Sequence, residues 1–260
     1  MYTESGELRG DTEPRIFTRP LRELTPETSL GFEAIATATE DLGRNLHPWQ
    51  EWVLIHSLEL APGSYTSDPA PVLRFETVLV LVARQNGKSF LASTRMLWRM
   101  LMWEPPEGEP PLVLGTAHKL AAAEEIQEQA YKAIARSPAA DQVARMTGTN
   151  GSKTLELING ARYRCDAASD DGGRSFSVTD LFFDELRQQK EWSPWMALTN
   201  TTNAKFSSQV FAVSNAGESK SVVLNSLQDN ERKAIQEYDA FISGGGTTEE
   251  WAKTHEITFG

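Results

Sequence analysis

The sequence predicts an α/β fold in which helices flank a mainly parallel central sheet, with one added β-hairpin. Residues 75–83 form a nearly unbroken apolar run, which is typical of a strand covered on both faces, as in a parallel sheet. Apolar strands alternate with helix-length segments along the chain, the pattern of an α/β sandwich. The pair Asn159-Gly160 stands between two strand-like segments, and Asn-Gly favours the positive φ angles of a type I′ hairpin turn.

The elements before the first strand are a polar lead-in and two helices. Residues 1–29 are rich in Thr, Pro, Glu and Arg without an apolar period, which predicts an extended or partly disordered arm before a domain over residues 30–260. A helix is expected over residues 30–42, because Gly43 follows it as a helix end. A second helix begins at Pro48, since proline is well placed in a first turn.

The elements after the first strand alternate in type, and the sequence shows no internal repeat. The expected further helices cover residues 90–103, 120–135, 194–201 and 221–242. The expected further strands cover residues 112–116, 178–183 and 209–213, and the two hairpin strands cover residues 154–158 and 161–164.

Composition places the chain among ordinary globular proteins of a reducing compartment. Of 260 residues, 40% are hydrophobic and 23% are charged, so wholesale disorder is not expected. The single cysteine, Cys165, excludes an internal disulfide and a cysteine-based zinc site. No apolar run reaches the roughly 18 residues of a membrane span, and the polar, acidic start does not predict a signal peptide.

The formal net charge of −11 limits how the chain could hold nucleic acid. Proteins with a static grip on DNA usually present a basic surface, because neutralising phosphates supplies much of the affinity. Any nucleic-acid contact here is therefore local, transient or shared with another segment, or it does not exist.

A candidate phosphate loop, Arg84-Gln85-Asn86-Gly87-Lys88-Ser89, lies between the first strand and a helix. Phosphate binding needs backbone N–H groups at a helix N-terminus, a lysine for the β and γ oxygens, and a hydroxyl for Mg²⁺. Gly87 permits a close backbone approach, Lys88 supplies the charge and Ser89 the metal ligand. Val82 stands where the pattern usually has its first glycine. A plain strand–turn–helix connection is the alternative.

A second motif ends the apolar strand Leu181-Phe182-Phe183 with two adjacent carboxylates, Asp184 and Glu185. In an ATPase, Asp184 would hold Mg²⁺ together with the Ser89 hydroxyl, and Glu185 would orient and polarise the attacking water. The alternative is a strand that ends in solvated acids. Both motifs together predict a P-loop NTPase of the ASCE type that binds ATP and Mg²⁺.

These motifs resemble those of the large terminase subunit of tailed bacteriophages, the motor that packs DNA into proheads. Residues 83–89 match its deviant phosphate loop, including the absent first glycine, and residues 181–185 match its Asp-Glu strand. The resemblance implies ATP binding by Ala83, Arg84, Gln85, Asn86, Gly87, Lys88 and Ser89. Leu46-His47-Pro48-Trp49-Gln50 looks like its adenine element, and a Gln50 amide can donate to and accept from the adenine edge. Arg84 contacts the γ-phosphate or is a solvated loop charge.

Two further elements of that family have counterparts here. Gly172-Gly173-Arg174 stands where the family places an arginine that reaches a neighbouring subunit's γ-phosphate, and this implies a trans arginine finger at Arg174. Ser214-Asn215 looks like the polar coupling motif that senses the γ-phosphate. The resemblance covers roughly residues 42–242.

The resemblance implies the ATPase domain of a packaging motor that translocates double-stranded DNA in the host cytoplasm. Its implied partners are further copies in a homo-oligomeric ring, DNA, the portal and the small terminase subunit, with no membrane, although a monomer is the alternative for the chain in isolation. The family's nuclease domain with clustered acids has no room before Gly260, so no nuclease activity is expected. Another P-loop nucleic-acid translocase, a small-molecule kinase and a nucleotide-dependent ring-assembly module with weak turnover alone are the alternatives.

Overall fold

The described part of the chain folds into one sheet of seven strands with flanking helices. The structure, a computed structural model, describes residues 11–148, 153–169 and 176–254. Within these ranges the strands are β1 (Thr77–Leu81), β2 (Leu112–Ala117), β3 (Val143–Thr147), β4 (Thr154–Leu157), β5 (Arg162–Ala167), β6 (Asp180–Asp184) and β7 (Gln209–Ser214). They form one sheet in the order β1-β7-β6-β2-β5-β4-β3. The first five in that order are parallel neighbours, and β4 is antiparallel to both β5 and β3.

Helices cover both faces of this sheet. They are α1 (Gly31–Glu40), α2 (Pro48–Ser57), α3 (Lys88–Met102), α4 (Leu120–Ile134), α5 (Trp192–Thr199), α6 (Val222–Ser243) and α7 (Thr248–Thr254). Helices α1 to α4 contribute to one hydrophobic core, and α5 and α6 contribute to a second core on the other face. Along β6, Phe182 enters the first core, whereas Leu181 and Phe183 enter the second. The apolar run without alternation is therefore explained by burial on both faces.

The predicted fold class, a mainly parallel sheet with flanking helices and an added hairpin, is confirmed. Local predictions fail at the start of α3, at β3 and at the hairpin turn. Helix α3 begins at Lys88 rather than residue 90, because Gly87 takes a left-handed conformation (φ 81°) as its N-cap. Strand β3 was not expected, since none of its residues is fully buried, the adjacent Ala144 and Arg145 are exposed, and no apolar run marks it. No helix within the described ranges is long and apolar enough to cross a membrane.

The hairpin between β4 and β5 forms where it was predicted, but not with the predicted turn. Among the residues of the turn, Gly160 has a positive φ (86°) and Asn159 does not, which excludes type I′. The Asn159 side chain is used elsewhere: its Oδ1 accepts from the N–H of Ala161 (2.9 Å) and its Nδ2 donates to the carbonyl of Met100 (2.8 Å). These contacts tie the turn to the end of α3.

The described part of the predicted arm, residues 11–29, contacts the body of the protein. The Nη2 of Arg22 donates to the carbonyl oxygens of Leu60 (3.2 Å) and Ala61 (3.1 Å). The N–H of Leu21 donates to Glu59 Oε1 (3.0 Å), and Glu59 is paired with Arg74. The division into an arm and a domain at residue 30 stays a prediction.

A buried ionic cluster fixes α3 against the amino end of β6. Arg95 Nη1 lies 2.7 Å from Asp180 Oδ1, and Arg99 Nε contacts Asp180 Oδ2. Arg95 Nη2 also donates to Gln209 Oε1 (2.7 Å) at the start of β7. All three charged side chains are fully buried. The cluster therefore sets the relative positions of the helix and the two strands whose far ends carry the candidate site.

Candidate nucleotide-binding site

The candidate site lies where three adjacent parallel strands end. Leu81 is level with Ser214, and Asp184 is level with Val213. The loop after β1, the acids after β6 and the polar residues after β7 therefore meet at one edge of the sheet. The carboxyl edge is where open α/β sheets bind their ligands.

The phosphate loop ends in the amino terminus of α3. Gln85 (φ 61°) and Gly87 (φ 81°) both take left-handed conformations, which turn the chain from the strand into the helix. The first N–H groups of a helix lack intrahelical partners and carry the positive end of the helix dipole, so they attract anions. A Cβ on Gly87 would lie 2.9 Å from Gln50 Nε2. Glycine is therefore required there by conformation and by space.

The ammonium of Lys88 points across the strand ends. It donates to the carbonyl of Ala83 (3.2 Å) and to Asn215 Oδ1 (2.6 Å). Partial burial lowers the pKa of Lys88, while the nearby carboxylates of Glu185 and Asp184 oppose that shift. The Lys88 ammonium is thus hydrogen-bonded to neutral oxygens, and an anionic ligand could replace them.

Asp184 lies in a setting that would suit a bound cation. Burial, and next the charge of Glu185, raise its pKa from 3.8 to about 6. A cation beside this carboxylate would stabilise the ionised form. The described residues contain no cluster of three or more His, Cys, Asp and Glu side chains that could hold a metal. The predicted ligands, the Ser89 hydroxyl and Asp184, would need oxygens of water and nucleotide to complete a Mg²⁺ shell.

Both carboxylate oxygens of Glu185 accept hydrogen bonds. Its backbone is left-handed (φ 52°), and a 3-10 turn, Leu186–Gln188, follows at once. Oε1 accepts from Asn215 Nδ2 (3.2 Å), and Oε2 accepts from Arg187 Nε (2.6 Å). Asn215 thereby connects Lys88 to Glu185 through the two ends of one amide.

Arg187 belongs to the site but was not predicted from the sequence. The signal available was a basic residue two positions after Glu185. In an extended strand the two side chains would lie on the same face of the sheet, but roughly 6–7 Å apart along the strand. The positive φ of Glu185 and the 3-10 turn bring its side chain back onto Glu185. This conformation could not be derived from residue types alone.

Gln50 lies against the phosphate loop from the side of α2. It is fully buried, its Nε2 donates to the carbonyl of Gly87 (3.0 Å), and its Oε1 accepts from the N–H of His47 (2.8 Å). The amide therefore holds the start of α2 and the loop together. Its predicted contact with adenine stays a prediction.

The remaining predicted residues divide into those at the strand ends and those of the exposed loop. Ser214 is buried and its Oγ accepts from the N–H of Arg187 (3.0 Å), while Asn215 is 7% exposed. Arg84 and Gln85 are exposed, as is Ala83, whereas Asn86 and Ser89 are half-buried. The predicted arginine finger, Arg174, lies outside the described residues.

A cavity of about 980 Å³ opens beside the loop. Its walls come from residues 11–18, α2, β1, the loop residues 85–87 and the α6 residues around Glu231. Phe17 packs edge-on against Trp52 (5.0 Å between ring centroids), and Trp52 stacks on His56 (3.6 Å). The arm thus closes one side of a space that reaches the phosphate loop.

Comparison with solved structures finds proteins whose fold is similar to this one. Over 79% of its length, the chain matches the crystal structure of the bacteriophage HK97 large terminase, with a TM-score of 0.63 and 18% sequence identity. The chain has the fold of a phage large terminase. It spans 42% of the length of that protein. The predicted resemblance is therefore confirmed at the level of the fold.

Two other phage terminases show weaker likenesses, on which no argument is based. The large terminase ATPase domain of Thermus phage P74-26 matches with a TM-score of 0.48 and 15% identity over 66% of each chain. The large terminase of another thermophilic bacteriophage, in complex with ADP, matches with a TM-score of 0.41 and 11% identity over 54% of this chain and 34% of that one. No family model and no curated protein matches the sequence.

Proposed function

We propose that the chain hydrolyses ATP and that hydrolysis powers the translocation of double-stranded DNA into a viral prohead. One observation carries the enzymatic part of the proposal. Lys88, Asn215 and Glu185 form a continuous hydrogen-bonded set at the carboxyl edge of the sheet, directly beside the amino end of α3. The cation proposed to bind phosphate and the carboxylate proposed as the base are therefore both hydrogen-bonded to the amide of Asn215, which supports the proposal.

The residues present fit Mg·ATP. The N–H groups at the start of α3 and the Lys88 ammonium would bind the β- and γ-phosphates, because both are electropositive. The present acceptors of the ammonium are neutral oxygens. Ser89 and Asp184 would hold Mg²⁺, which neutralises charge on the transferring phosphoryl group. The cavity beside Gly87 and Gln50 has room for the base and the ribose. Arg84, on the exposed loop, would contact the γ-phosphate.

In the proposed reaction Glu185 acts as the general base. A water molecule attacks the γ-phosphorus, the bond between that phosphorus and the bridging oxygen of ADP breaks, and the proton of the water passes to Glu185. Asn215 would sense the γ-phosphate. Its Oδ1 accepts a hydrogen bond from the Lys88 ammonium, and phosphate oxygens would compete for that donor. Arg174 of a neighbouring copy would neutralise charge in the transition state.

The motor function extends the proposal from the site to the assembly. It requires a homo-oligomeric ring, double-stranded DNA, the portal and the small terminase subunit in the cytoplasm of the host cell. The fold supports this setting, and the net charge of −11 favours local DNA contacts over an extended basic grip. No nuclease activity is proposed for these residues.

A nucleotide-dependent ring-assembly module with weak turnover alone is the second candidate. The engagement of both Glu185 oxygens by Asn215 and Arg187 favours it. Glu185 would have to lose one of these hydrogen bonds before it could accept a proton from water, and contact with a neighbouring subunit could cause that loss.

Replacement of the lysine tests the proposed chemistry. Lys88→Ala is expected to abolish ATP binding or hydrolysis, because no neighbouring group can supply its charge to the phosphates. Lys132→Ala is the control, since Lys132 is an exposed cation that contacts Glu128 on α4. Phosphate release and binding of a fluorescent ATP analogue are measured for both. Unchanged affinity and turnover in Lys88→Ala would remove the phosphate-loop hypothesis.

A further inference from the structure

The backbone of Arg187 is anchored to two elements of the site. Its N–H donates to Ser214 Oγ (3.0 Å) at the end of β7. Its carbonyl accepts from Ser221 Oγ (2.7 Å), the residue that precedes α6. Both hydrogen bonds involve side chains whose own residues are buried. The side chain of Arg187 therefore extends from a backbone position that is held by two hydrogen bonds.

The Arg187 side chain is directed at one oxygen of Glu185. Its Nε donates to Oε2 (2.6 Å), and its Nη1 lies 3.9 Å from the exposed Glu218 carboxylate. The Arg187 and Glu185 side chains are 19% and 25% exposed. Partial burial makes this contact less screened than an ion pair on open surface.

The two oxygens of Glu185 thus have different partners. Oε2 faces the guanidinium of Arg187. Oε1 faces the amide of Asn215, whose other end accepts from Lys88. When phosphates draw the lysine away, the Asn215 amide loses its charged partner and is free to reorient, whereas the contact to Arg187 is unaffected.

We propose that Arg187 is a positioning residue for hydrolysis: it fixes Oε2 of Glu185, so that Oε1 is presented to the attacking water once Asn215 turns away. This inference rests on the proposed role of Glu185 as the base. Arg187 does not itself touch the phosphates, because its Nε and Nη1 are directed at Glu185 and Glu218. The contact supports catalysis and does not restrain it, because it occupies a single carboxylate oxygen.

The test compares Arg187→Gln and Arg187→Lys with a matched arginine elsewhere. Arg145 makes the same contact, Nε to Glu156 Oε2 at 2.6 Å, between β3 and β4 at the other end of the sheet order. Arg187→Gln is expected to lower kcat for ATP by about 10- to 100-fold, since misplacement of a reacting group by about 1 Å costs on the order of 10² in rate. KM should change less than about threefold, because ground-state binding is untouched. Arg187→Lys keeps the charge without the planar fork and should be intermediate, whereas Arg145→Gln should match the wild type.

A second readout does not need turnover. Mg·ADP with aluminium fluoride places a phosphoryl mimic and its apical water in the site, so its affinity depends on Glu185 placement, whereas that of Mg·ADP does not. Arg187→Gln should weaken the fluoride complex about 10-fold relative to ADP, the lower end of the loss expected in rate. Thermal unfolding of each variant checks that it is folded, and Arg187→Lys carries the comparison if the glutamine variant is not.

Each other outcome has a distinct meaning. A wild-type kcat and an unchanged binding ratio in Arg187→Gln would overturn the inference, and so would faster turnover, which would make the contact a restraint. Loss of ATP affinity would make Arg187 a phosphate ligand and would also overturn it. The proposed function fails separately, if Glu185→Gln and Lys88→Ala, measured in the same series, turn over ATP as fast as the wild type.

Discussion

Two neighbouring carboxylates at the end of β6 differ in their surroundings. Asp184 is level with the strand ends, and burial raises its pKa to about 6. Glu185, one residue later, turns into a left-handed conformation and meets two N–H donors. A metal ion would stabilise the ionised form of the Asp184 carboxylate, which burial disfavours. The Glu185 carboxylate is held in place by N–H donors and could therefore orient a water molecule. The change of backbone conformation between the two residues gives their side chains different surroundings, which fit the different roles proposed for them.

The raised pKa of Asp184 has a consequence for the metal-free protein. Its folded-state pKa, about 6, lies above the unfolded value of 3.8, so the ionised form opposes folding. The penalty is present above about pH 6 and disappears as pH falls below the unfolded pKa. With a chelator at about pH 7.5, Asp184→Asn should therefore raise the free energy of unfolding by about 1–3 kcal/mol.

Urea unfolding of wild type and Asp184→Asn at several pH values measures this effect. The difference should shrink towards zero near pH 4. Asp229→Asn, at an exposed position on α6, serves as the control and should show no such trend. A stability difference that is the same at all pH values would contradict the assigned surroundings of Asp184.

At the scale of elements, α3 connects the site to the opposite end of the sheet. Its first residue is Lys88, and its later turns carry Arg95 and Arg99 onto Asp180 at the amino end of β6. The same strand ends in Asp184. The buried cluster therefore holds the phosphate-binding helix in register with the strand that carries the acids.

Replacement of Asp180, whose carboxylate Arg95 and Arg99 share, should show how much the cluster contributes to the free energy of unfolding. Asp180→Ala leaves two fully buried guanidinium groups without their anion, and breaking a buried ion pair typically costs about 3–5 kcal/mol. Asp239→Ala is the matched control, since its contact with Arg19 is exposed and 3.9 Å long and should contribute less than about 1 kcal/mol. Equal losses in denaturant unfolding would show that the cluster does not stabilise the fold.

What the sequence could predict depended on how local each signal was. Apolar runs marked β1 and β6, and Gly87-Lys88-Ser89 marked the loop. Strand β6 is buried on both faces, whereas β1, which its run indicated to be a central strand, lies at the edge of the sheet and is only partly buried. The partners of Asp180 and the return of Arg187 onto Glu185 could not be predicted. They depend on contacts across the sheet and on one positive φ angle at a non-glycine residue.

At the scale of the whole molecule, the site lies at an edge that another copy could approach. The phosphate loop is exposed at Arg84 and Gln85, and the fold of the chain matches 42% of the length of the HK97 large terminase. For the proposed motor function, the acidic net charge favours DNA contacts that are few and transient. The exposed loop is compatible with the proposed ring, in which each copy would complete its neighbour's site.

The trans role of Arg174 is testable in mixtures. Arg174→Ala should leave ATP affinity near that of the wild type and abolish turnover in the assembled state, since a guanidinium supplied in trans contributes about 10³–10⁵ in rate in other systems. Mixing it with Glu185→Gln should restore part of the activity, because one interface can then combine an intact base with an intact arginine. Specific activity is measured against protein concentration. Mixtures as inactive as the separate variants would place Arg174 in cis or outside the reaction.

The central claim, that Glu185 is the base of an ATPase, is tested most directly by phosphate release from Glu185→Gln at saturating Mg·ATP, together with the identity of the bound nucleotide. The amide keeps the shape of the side chain but cannot accept the proton of water. We predict that the variant binds ATP as the wild type does, retains it unhydrolysed and loses turnover by about 100-fold or more. Turnover at the wild-type rate, with ADP recovered from the variant, would contradict the account.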